Sequence, residues 1–192
     1  MSGKVVHLLR HGPPARTGLL LGHCDEPPCD PTGGLRGAVP AALTIRRLVT
    51  SDLRRALVGA EVLAADRGVD LTVDRRWREL NFGAWDGLAP QSLPRDALAR
   101  FWDDPETCPP PQGERWSSLR QRVGSALTEL DDATLVVTHG GAMRAAVSIT
   151  TGLDHRQVWA LDLPYGALLS LRIWTGDSLA GQIIGLGSGV LS

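Results

Sequence analysis

Two short apolar segments of this 192-residue chain end in the same way, with a histidine followed by a glycine. Residues 5–10 run into His11-Gly12, and residues 134–138 run into His139-Gly140. A short apolar run bounded by turn-forming residues predicts a buried strand. Ligands of open α/β sheets bind beyond the carboxyl ends of the strands. The two histidines therefore predict a single site to which both strands contribute.

Strand-like and helix-like segments alternate along the chain, which predicts an α/β fold. An apolar stripe at helical spacing over residues 53–64 ends at Gly68, with Ser51 as the expected N-terminal cap. Residues 35–43 also have helical spacing, but Pro40 interrupts it, so a helix that is short or starts late is expected there. Further helices are expected at 95–102, 119–130 and 142–151, and strands at 47–50, 71–73, 167–174 and 180–186. The order predicts a three-layer α/β/α sandwich around a mostly parallel sheet.

Length and charge narrow the class of protein. The length fits one domain over residues 1–192, with the mixed segment of about 77–113 expected to form a small lid over the site. The net charge of −1 gives no strong attraction for nucleic acid or an anionic membrane. No apolar run is long enough to cross a bilayer. We expect a cytoplasmic protein, a monomer or homodimer, whose partner is a small molecule.

The cysteines and lysines limit the chemistry further. Cys24, Cys29 and Cys108 cannot all pair, and His23 with the first two lacks a second ligand pair, so we expect free thiols and no metal or other cofactor. Lys4 is the sole lysine, whereas 19 of the 20 basic residues are arginines. A phosphate-binding or Schiff-base lysine is therefore nearly excluded. Any phosphate must be held by arginine.

Five segments together resemble the phosphoglycerate mutase-like branch of the histidine phosphatase superfamily. They occur in the family's order, as Leu8-Leu9-Arg10-His11-Gly12, Ser51-Asp52-Leu53-Arg54-Arg55-Ala56, Glu79 to Gly87 (ELNFGAWDG), Pro111-Gln112-Gly113-Glu114 and Val137-Thr138-His139-Gly140-Gly141. The resemblance implies a phosphoglycerate mutase-like α/β fold. It also implies a phosphomonoester hydrolase with a phosphohistidine intermediate and no cofactor.

The resemblance implies His11 as the nucleophile and Glu79 as the general acid and base. Arg10, Arg55 and His139 are the implied phosphate ligands, with Gly140 beside them and Thr17 at the position of a family asparagine. This agrees with the chemistry, because a neutral imidazole whose Nδ1 donates to a carbonyl is a competent nucleophile. Arginine forks suit phosphate oxygens. Arg54, turned about 100° from its neighbour on a helix, is expected to be solvated.

Several alternatives remain open on the sequence alone. Glu79 could be a surface carboxylate paired with Arg76 or Arg78. The protein could also be a catalytically weak relative that binds a phosphorylated ligand, or a phosphoglycerate mutase. The family's mutases have Arg and Tyr after the glutamate, whereas Leu80, Asn81 and Phe82 stand here, which favours hydrolysis.

The substrate suggested by the sequence is α-ribazole 5'-phosphate, because the length and the variant motif around Pro13-Pro14 look most like α-ribazole phosphatases. Four tryptophans lie between residues 77 and 116, in or beside the segment that is expected to cover the site. They are Trp77, Trp85, Trp102 and Trp116. Their faces could stack on an aromatic leaving group, but packing in the core and lid is the favoured interpretation.

Overall fold

The computed structural model describes residues 3–187. In this range the strands are β1 (Lys4–Arg10), β2 (Arg47–Thr50), β3 (Leu71–Val73), β4 (Thr134–Thr138), β5 (Leu168–Thr175) and β6 (Leu179–Gly187). The α-helices are α1 (Arg54–Arg67), α2 (Arg95–Asp103), α3 (Trp116–Glu129), α4 (Gly140–Thr151) and α5 (His155–Trp159). The predicted alternation of strands and helices is confirmed, with boundaries shifted by a few residues.

The strands form a mixed sheet in the order β3-β2-β4-β1-β5-β6. The first four strands of this order are mutually parallel, and β5 and β6 are antiparallel to their neighbours. The two antiparallel strands are joined by the short connection 176–178. The carboxyl ends of β1 and β4 therefore lie side by side near the centre of the sheet.

Alternating side chains of the central strands bury on opposite faces of the sheet. Val6, Leu8 and Val136 belong to a large hydrophobic cluster with α3 and α4, while Leu9 and Leu135 belong to a second cluster with α1. Since strand side chains alternate with a period of two, both faces need a helical cover. This confirms the predicted layered α/β fold.

Two local expectations about the region before α1 are wrong. Residues 35–43 form turns instead of a helix, because Gly37 adopts a φ of +80° and Pro40 follows it. Ser51 does not cap α1, because the N-cap position is Leu53, whose own side chain makes no capping hydrogen bond. Instead, the carboxylate of Asp25, from the preceding loop, accepts from the backbone N–H of Arg54 at 2.7 Å.

The segment 77–113 contains α2 and two single turns of 3-10 helix, Gly83–Trp85 and Pro90–Ser92. Its apolar side chains, among them Phe82, Trp85, Leu93 and Phe101, join the same hydrophobic cluster as α3 and α4. The segment is therefore packed onto the body of the fold along much of its length. None of the helices between residues 3 and 187 has the length and apolarity needed to cross a membrane.

Candidate active site

The pairing of β1 with β4 brings the two strand-end histidines together. Arg10 is in register with Thr138, and the backbone N–H of His11 donates to the carbonyl of Thr138 at 2.9 Å. The imidazole rings of His11 and His139 lie 4.9 Å apart between centroids, and both residues are buried. The structure thus places the two histidines in one site, as their strand-end positions predict.

His11 is held in the tautomer that a nucleophile requires. Its Nδ1 lies 2.6 Å from the carbonyl oxygen of Gly12. Because a carbonyl can only accept, Nδ1 carries the proton and Nε2 keeps its lone pair. Burial lowers the pKa of His11 well below its usual value, and the charges of Arg55 and Arg10 lower it further, against the bond to Gly12. The imidazole is therefore neutral at physiological pH.

Arg10 is fixed from two directions at the edge of this site. Its guanidinium donates to the carbonyl of Leu163 and lies 4.3 Å from the centroid of the Tyr165 ring. Tyr165 also lies against His11, with 5.4 Å between ring centroids. The buried Nε of Arg10 has no hydrogen-bond partner within residues 3–187. Sequence reasoning missed Tyr165, since it comes from the turn before β5.

Arg55 connects α1 to the loop beneath the site. Its side chain is fully buried, and its guanidinium donates to the backbone carbonyls of Leu21, Gly22 and Cys24. Its Nε has no partner among the described residues. The neighbouring Arg54 is exposed, as expected from its position on the helix. Arg55 is thus both a cation beside His11 and a clamp on the 21–24 loop.

A carboxylate completes the same clamp. Asp86 accepts from the backbone N–H groups of Gly22, His23 and Cys24 at 2.6–2.8 Å. The loop therefore presents its carbonyls to Arg55 and its N–H groups to Asp86. Two opposite charges hold a short segment that has no regular secondary structure.

His139 and Gly140 stand at the start of α4. His139 is the N-cap residue and Gly140 the first helical residue. Neither ring nitrogen of His139 has a partner among the described residues. Burial, and then the charge of Arg55, lowers the pKa of His139 well below its usual value. The neutral ring of His139 therefore has an N–H donor that no described residue uses, and it lies beside the positive end of α4, which attracts anions.

Glu79 faces the same site from the segment 77–113. One carboxylate oxygen accepts from the N–H of Leu80 at 2.8 Å, and the other from the N–H of Gly141 at 3.0 Å. The alternative pairing with Arg76 or Arg78 is not present. Arg76 pairs with Asp74 and Glu129, and Arg78 pairs with Asp52.

The backbone that carries Glu79 is fixed by Arg122. This guanidinium donates to the carbonyls of Arg76, Arg78 and Glu79, and it also pairs with Glu114. Glu114 in turn accepts from the N–H of Asn81. The Pro-x-Gly-Glu segment, Pro111 to Glu114, therefore has a structural role in placing Glu79.

The remaining sequence candidates lie apart from this cluster. Thr17 is exposed in the loop after β1, so its predicted contact with phosphate stays a prediction. Cys24, Cys29 and Cys108 are free thiols, and burial raises the pKa of Cys24 to about 11. Within residues 3–187, no group of three His, Cys, Asp or Glu side chains is arranged to hold a metal ion.

A pocket of about 120 Å³ opens next to Glu79 and Arg10. We call it the aromatic pocket; its other side chains come from Leu80, Phe82, Phe101, Trp102, Trp116, Leu119, Arg144 and Trp159. Of the four tryptophans discussed above, Trp77 and Trp85 are buried in the core, whereas Trp102 and Trp116 line this pocket. Trp159 and Arg144 were not singled out from the sequence. The one sequence signal for Arg144 is its spacing of four from Gly140. This spacing puts both residues on the same face of a helix and so predicts that Arg144 lies near the site.

The chain belongs to branch 1 of the histidine phosphatase superfamily, whose family model matches residues 6–180. A Hydrogenobacter thermophilus protein named "Putative phosphoserine phosphatase 2" is 25% identical over 183 residues, 88% of this chain and 90% of that protein. An Erwinia tasmaniensis protein named "Probable phosphoglycerate mutase GpmB" is 34% identical over 121 residues, 58% of this chain and 55% of that protein. The family thus includes both phosphatases and mutases.

Solved structures share the fold over nearly the whole chain. A mycobacterial glucosyl-3-phosphoglycerate phosphatase in complex with VO3 superposes with a TM-score of 0.82 at 24% identity, covering 95% of this chain and 98% of that one. The α-ribazole phosphatase from Shigella flexneri gives a TM-score of 0.77 at 20% identity, covering 96% and 100%. These likenesses show a shared fold.

We expect Gly141→Ala to displace the carboxylate of Glu79. A Cβ at position 141 would overlap with Oε1 of Glu79, while the N–H that holds Oε2 would remain. A misplacement of about 1 Å can cost roughly 10²-fold in rate. The measurement is kcat for hydrolysis of an alkyl phosphate. Gly124→Ala in α3 is the matched control, because its Cβ would only touch Ile149 at 3.6 Å. Equal activity of the two variants would contradict the placement of Glu79.

Stability should fall as the pH decreases below about 6.5, the ordinary pKa of histidine. His11 and His139 have folded-state pKa values well below that value, so the unfolded chain binds their protons first and is favoured by acid. Each group contributes a slope of at most about 1.4 kcal/mol per pH unit between its two pKa values.

This dependence can be measured as the free energy of unfolding by urea between about pH 5 and 8. His139→Gln removes one of the two buried imidazoles, so its profile should be shallower below pH 6.5 than that of the wild type. Comparing slopes within each variant cancels any constant effect of the substitution. Parallel profiles would show that His139 does not resist protonation in the folded state.

Proposed function

We propose that this protein hydrolyses small phosphomonoesters through a phosphohistidine at His11. The observation that carries the proposal is the bond from Nδ1 of His11 to Gly12, which leaves an unprotonated Nε2 among buried cations. Family membership supports chemistry on phosphorylated small molecules.

In the first step, Nε2 of His11 attacks phosphorus and the bond to the leaving oxygen breaks. Arg10, Arg55, the ring of His139 and the N–H of Gly140 are the donors for the phosphoryl oxygens, and Thr17 is a further candidate. Donors already fixed in a buried site stabilise charge that develops in the transition state. Glu79 in its protonated form gives its proton to the leaving oxygen, which departs as an alcohol.

In the second step, Glu79 is a carboxylate and takes a proton from water as the water attacks the phosphohistidine. The bond from phosphorus to Nε2 breaks, and inorganic phosphate leaves with His11 restored to its neutral form. The acid used in the first step thereby becomes the base of the second. Because guanidinium groups supply the positive charge, this mechanism needs no metal or other cofactor.

The residue types after Glu79 favour hydrolysis over the alternative of a phosphoglycerate mutase. The residues after Glu79 are Leu80, Asn81 and Phe82, and the first and last of these give the aromatic pocket an apolar wall. That wall lacks the Arg and Tyr that the family's mutases have at these positions. The alternative of a catalytically weak ligand-binding relative is disfavoured because Arg10, His11, Arg55, Glu79 and His139 are all present.

Residues 77–113 would act as the wall over the leaving group, in the role of the expected lid. This segment supplies Glu79 and several side chains of the aromatic pocket, including Phe82 and Trp102. The leaving oxygen must lie next to Glu79, so the remainder of the leaving group extends into this pocket. α-Ribazole 5'-phosphate is a candidate substrate on this view, since an aromatic base could stack on the partly exposed Trp102.

We expect His11→Ala to abolish turnover of p-nitrophenyl phosphate in the presence of excess EDTA, while the wild type stays active. The wild type should also accumulate acid-labile, base-stable phosphate on the protein when quenched during turnover. Circular dichroism checks that the variant folds. Turnover by His11→Ala, or a wild type that needs a divalent ion, would overturn the mechanism.

We expect Glu79→Gln to slow hydrolysis of an alkyl phosphate far more than that of p-nitrophenyl phosphate. An alkoxide is a poor leaving group and needs a proton, whereas nitrophenolate leaves without one. General acid catalysis is worth about 10²–10⁴ in rate. Single-turnover rates should be compared, since slow hydrolysis of the phosphohistidine would hide the difference. Equal losses on both substrates would show that Glu79 is not the general acid.

A further inference from the structure

The aromatic pocket contains one cation that the proposed mechanism does not use. Arg144 lies on α4, one turn after Gly140, and its side chain is half-buried. Its Nη2 donates to the carbonyl of Leu161 at 3.1 Å, and its guanidinium carbon lies 5.2 Å from the centroid of the Trp159 ring. The guanidinium is therefore held in place by the protein and lines the pocket.

The hydrogen-bonding capacity of Arg144 is only partly used. Its Nε is buried and has no partner within residues 3–187. A buried donor without a partner costs about 1–3 kcal/mol, so its retention needs an explanation. A guanidinium presents its donors in a planar fork that matches two oxygens of a carboxylate. The guanidinium lines the pocket and only its Nη2 bonds to the protein within residues 3–187, which indicates an anionic ligand group in the same pocket.

The remaining side chains of the pocket indicate the size and polarity of the molecule that would carry this anionic group. Trp102 and Trp116 each contact Trp159 through edge-to-face packing, with ring centroids 5.6 and 5.7 Å apart. The pocket volume of about 120 Å³ is close to the roughly 150 Å³ of an engineered cavity that binds benzene. The pocket can thus enclose a compact, apolar body about the size of one ring.

We propose that the aromatic pocket selects phosphomonoesters whose leaving group is a compact, ring-sized body that carries a carboxylate for Arg144. This inference rests on the proposed function, because it takes the side of Glu79 as the side of the leaving group. It narrows the substrate class, since the leaving group of α-ribazole 5'-phosphate carries no carboxylate. Arg144 is then the residue that determines specificity, separate from the donors around the phosphoryl group.

A different role for Arg144 makes a different prediction. Glu79 is the acidic group with the largest effect on Arg144, whose pKa burial lowers and Glu79 raises. If Arg144 served only to attract and position the carboxylate of Glu79, its removal would change hydrolysis of all substrates alike. If it binds the leaving group, its removal would change only substrates that carry the anionic group.

The experiment compares 4-carboxyphenyl phosphate with its amide isostere 4-carbamoylphenyl phosphate, and likewise the two 3-substituted isomers. The substrates of each pair have nearly the same shape and similar leaving groups. For the wild type we expect kcat/KM to favour the carboxylate in at least one pair by about tenfold or more, the usual effect of a charge-assisted hydrogen bond. Arg144→Gln should reduce that ratio to about one without loss on the amide.

Two further variants complete the design. Arg144→Lys keeps the charge and should retain part of the preference, which also covers the case in which the glutamine variant folds poorly. Arg120→Gln, on the exposed face of α3, is the matched control and should leave the ratio unchanged. A wild-type ratio of one in both pairs would overturn the inference, as would an equal loss on carboxylate and amide in Arg144→Gln.

Failure of the pocket assignment can be told apart from failure of the proposed function. Quenched wild-type reactions with each substrate should contain phosphohistidine. If phosphohistidine forms but no pair shows a preference, only the inference about Arg144 falls. If none of the aryl phosphates is hydrolysed and no phosphohistidine forms, the proposed function fails and the substrate class fails with it.

Discussion

The parallel pairing of β1 with β4 is the constraint on which the site depends. Leu8 and Leu9 bury on opposite faces of the sheet, in two separate hydrophobic clusters. A slip of one residue would reverse both faces, so the two cores fix the register. With Arg10 opposite Thr138, His11 and His139 follow from neighbouring strand ends. Apolar packing below the site thus sets the separation of the two imidazoles above it.

The buried polar atoms around His11 are the donors that the proposed phosphoryl site would use. Nε of Arg10, Nε of Arg55 and both ring nitrogens of His139 are buried without partners among the described residues. A buried donor without a partner raises the free energy of the empty site. The same donor binds most strongly a ligand that carries several anionic oxygens. Burial, and then the charges of Arg55 and Arg10, lower the pKa of His11, so the same arginines favour both the proposed nucleophile and its proposed target.

The sequence predicted features that local patterns determine. The strand ends at His11 and His139, the buried position of Arg55 next to the exposed Arg54, and the layered α/β fold all follow from periodicity and motif. Features that depend on distant contacts were not predictable. The N-terminus of α1 is capped by Asp25 from a loop, and Tyr165 reaches His11 from the turn before β5. Likewise, the apolar residues at helical spacing in 35–43 are buried, among them Leu35, but their backbone forms turns instead of a helix.

The contact between Trp102 and Trp159 has a consequence for how such proteins diversify. These two side chains belong to α2 and α5, and neither helix carries one of the donors that we propose for the phosphoryl group. Mutations in α2 and α5 can therefore reshape the aromatic pocket while β1 and β4 keep His11 and His139 in place. The walls of the pocket and the ends of the central strands can thus change independently of each other.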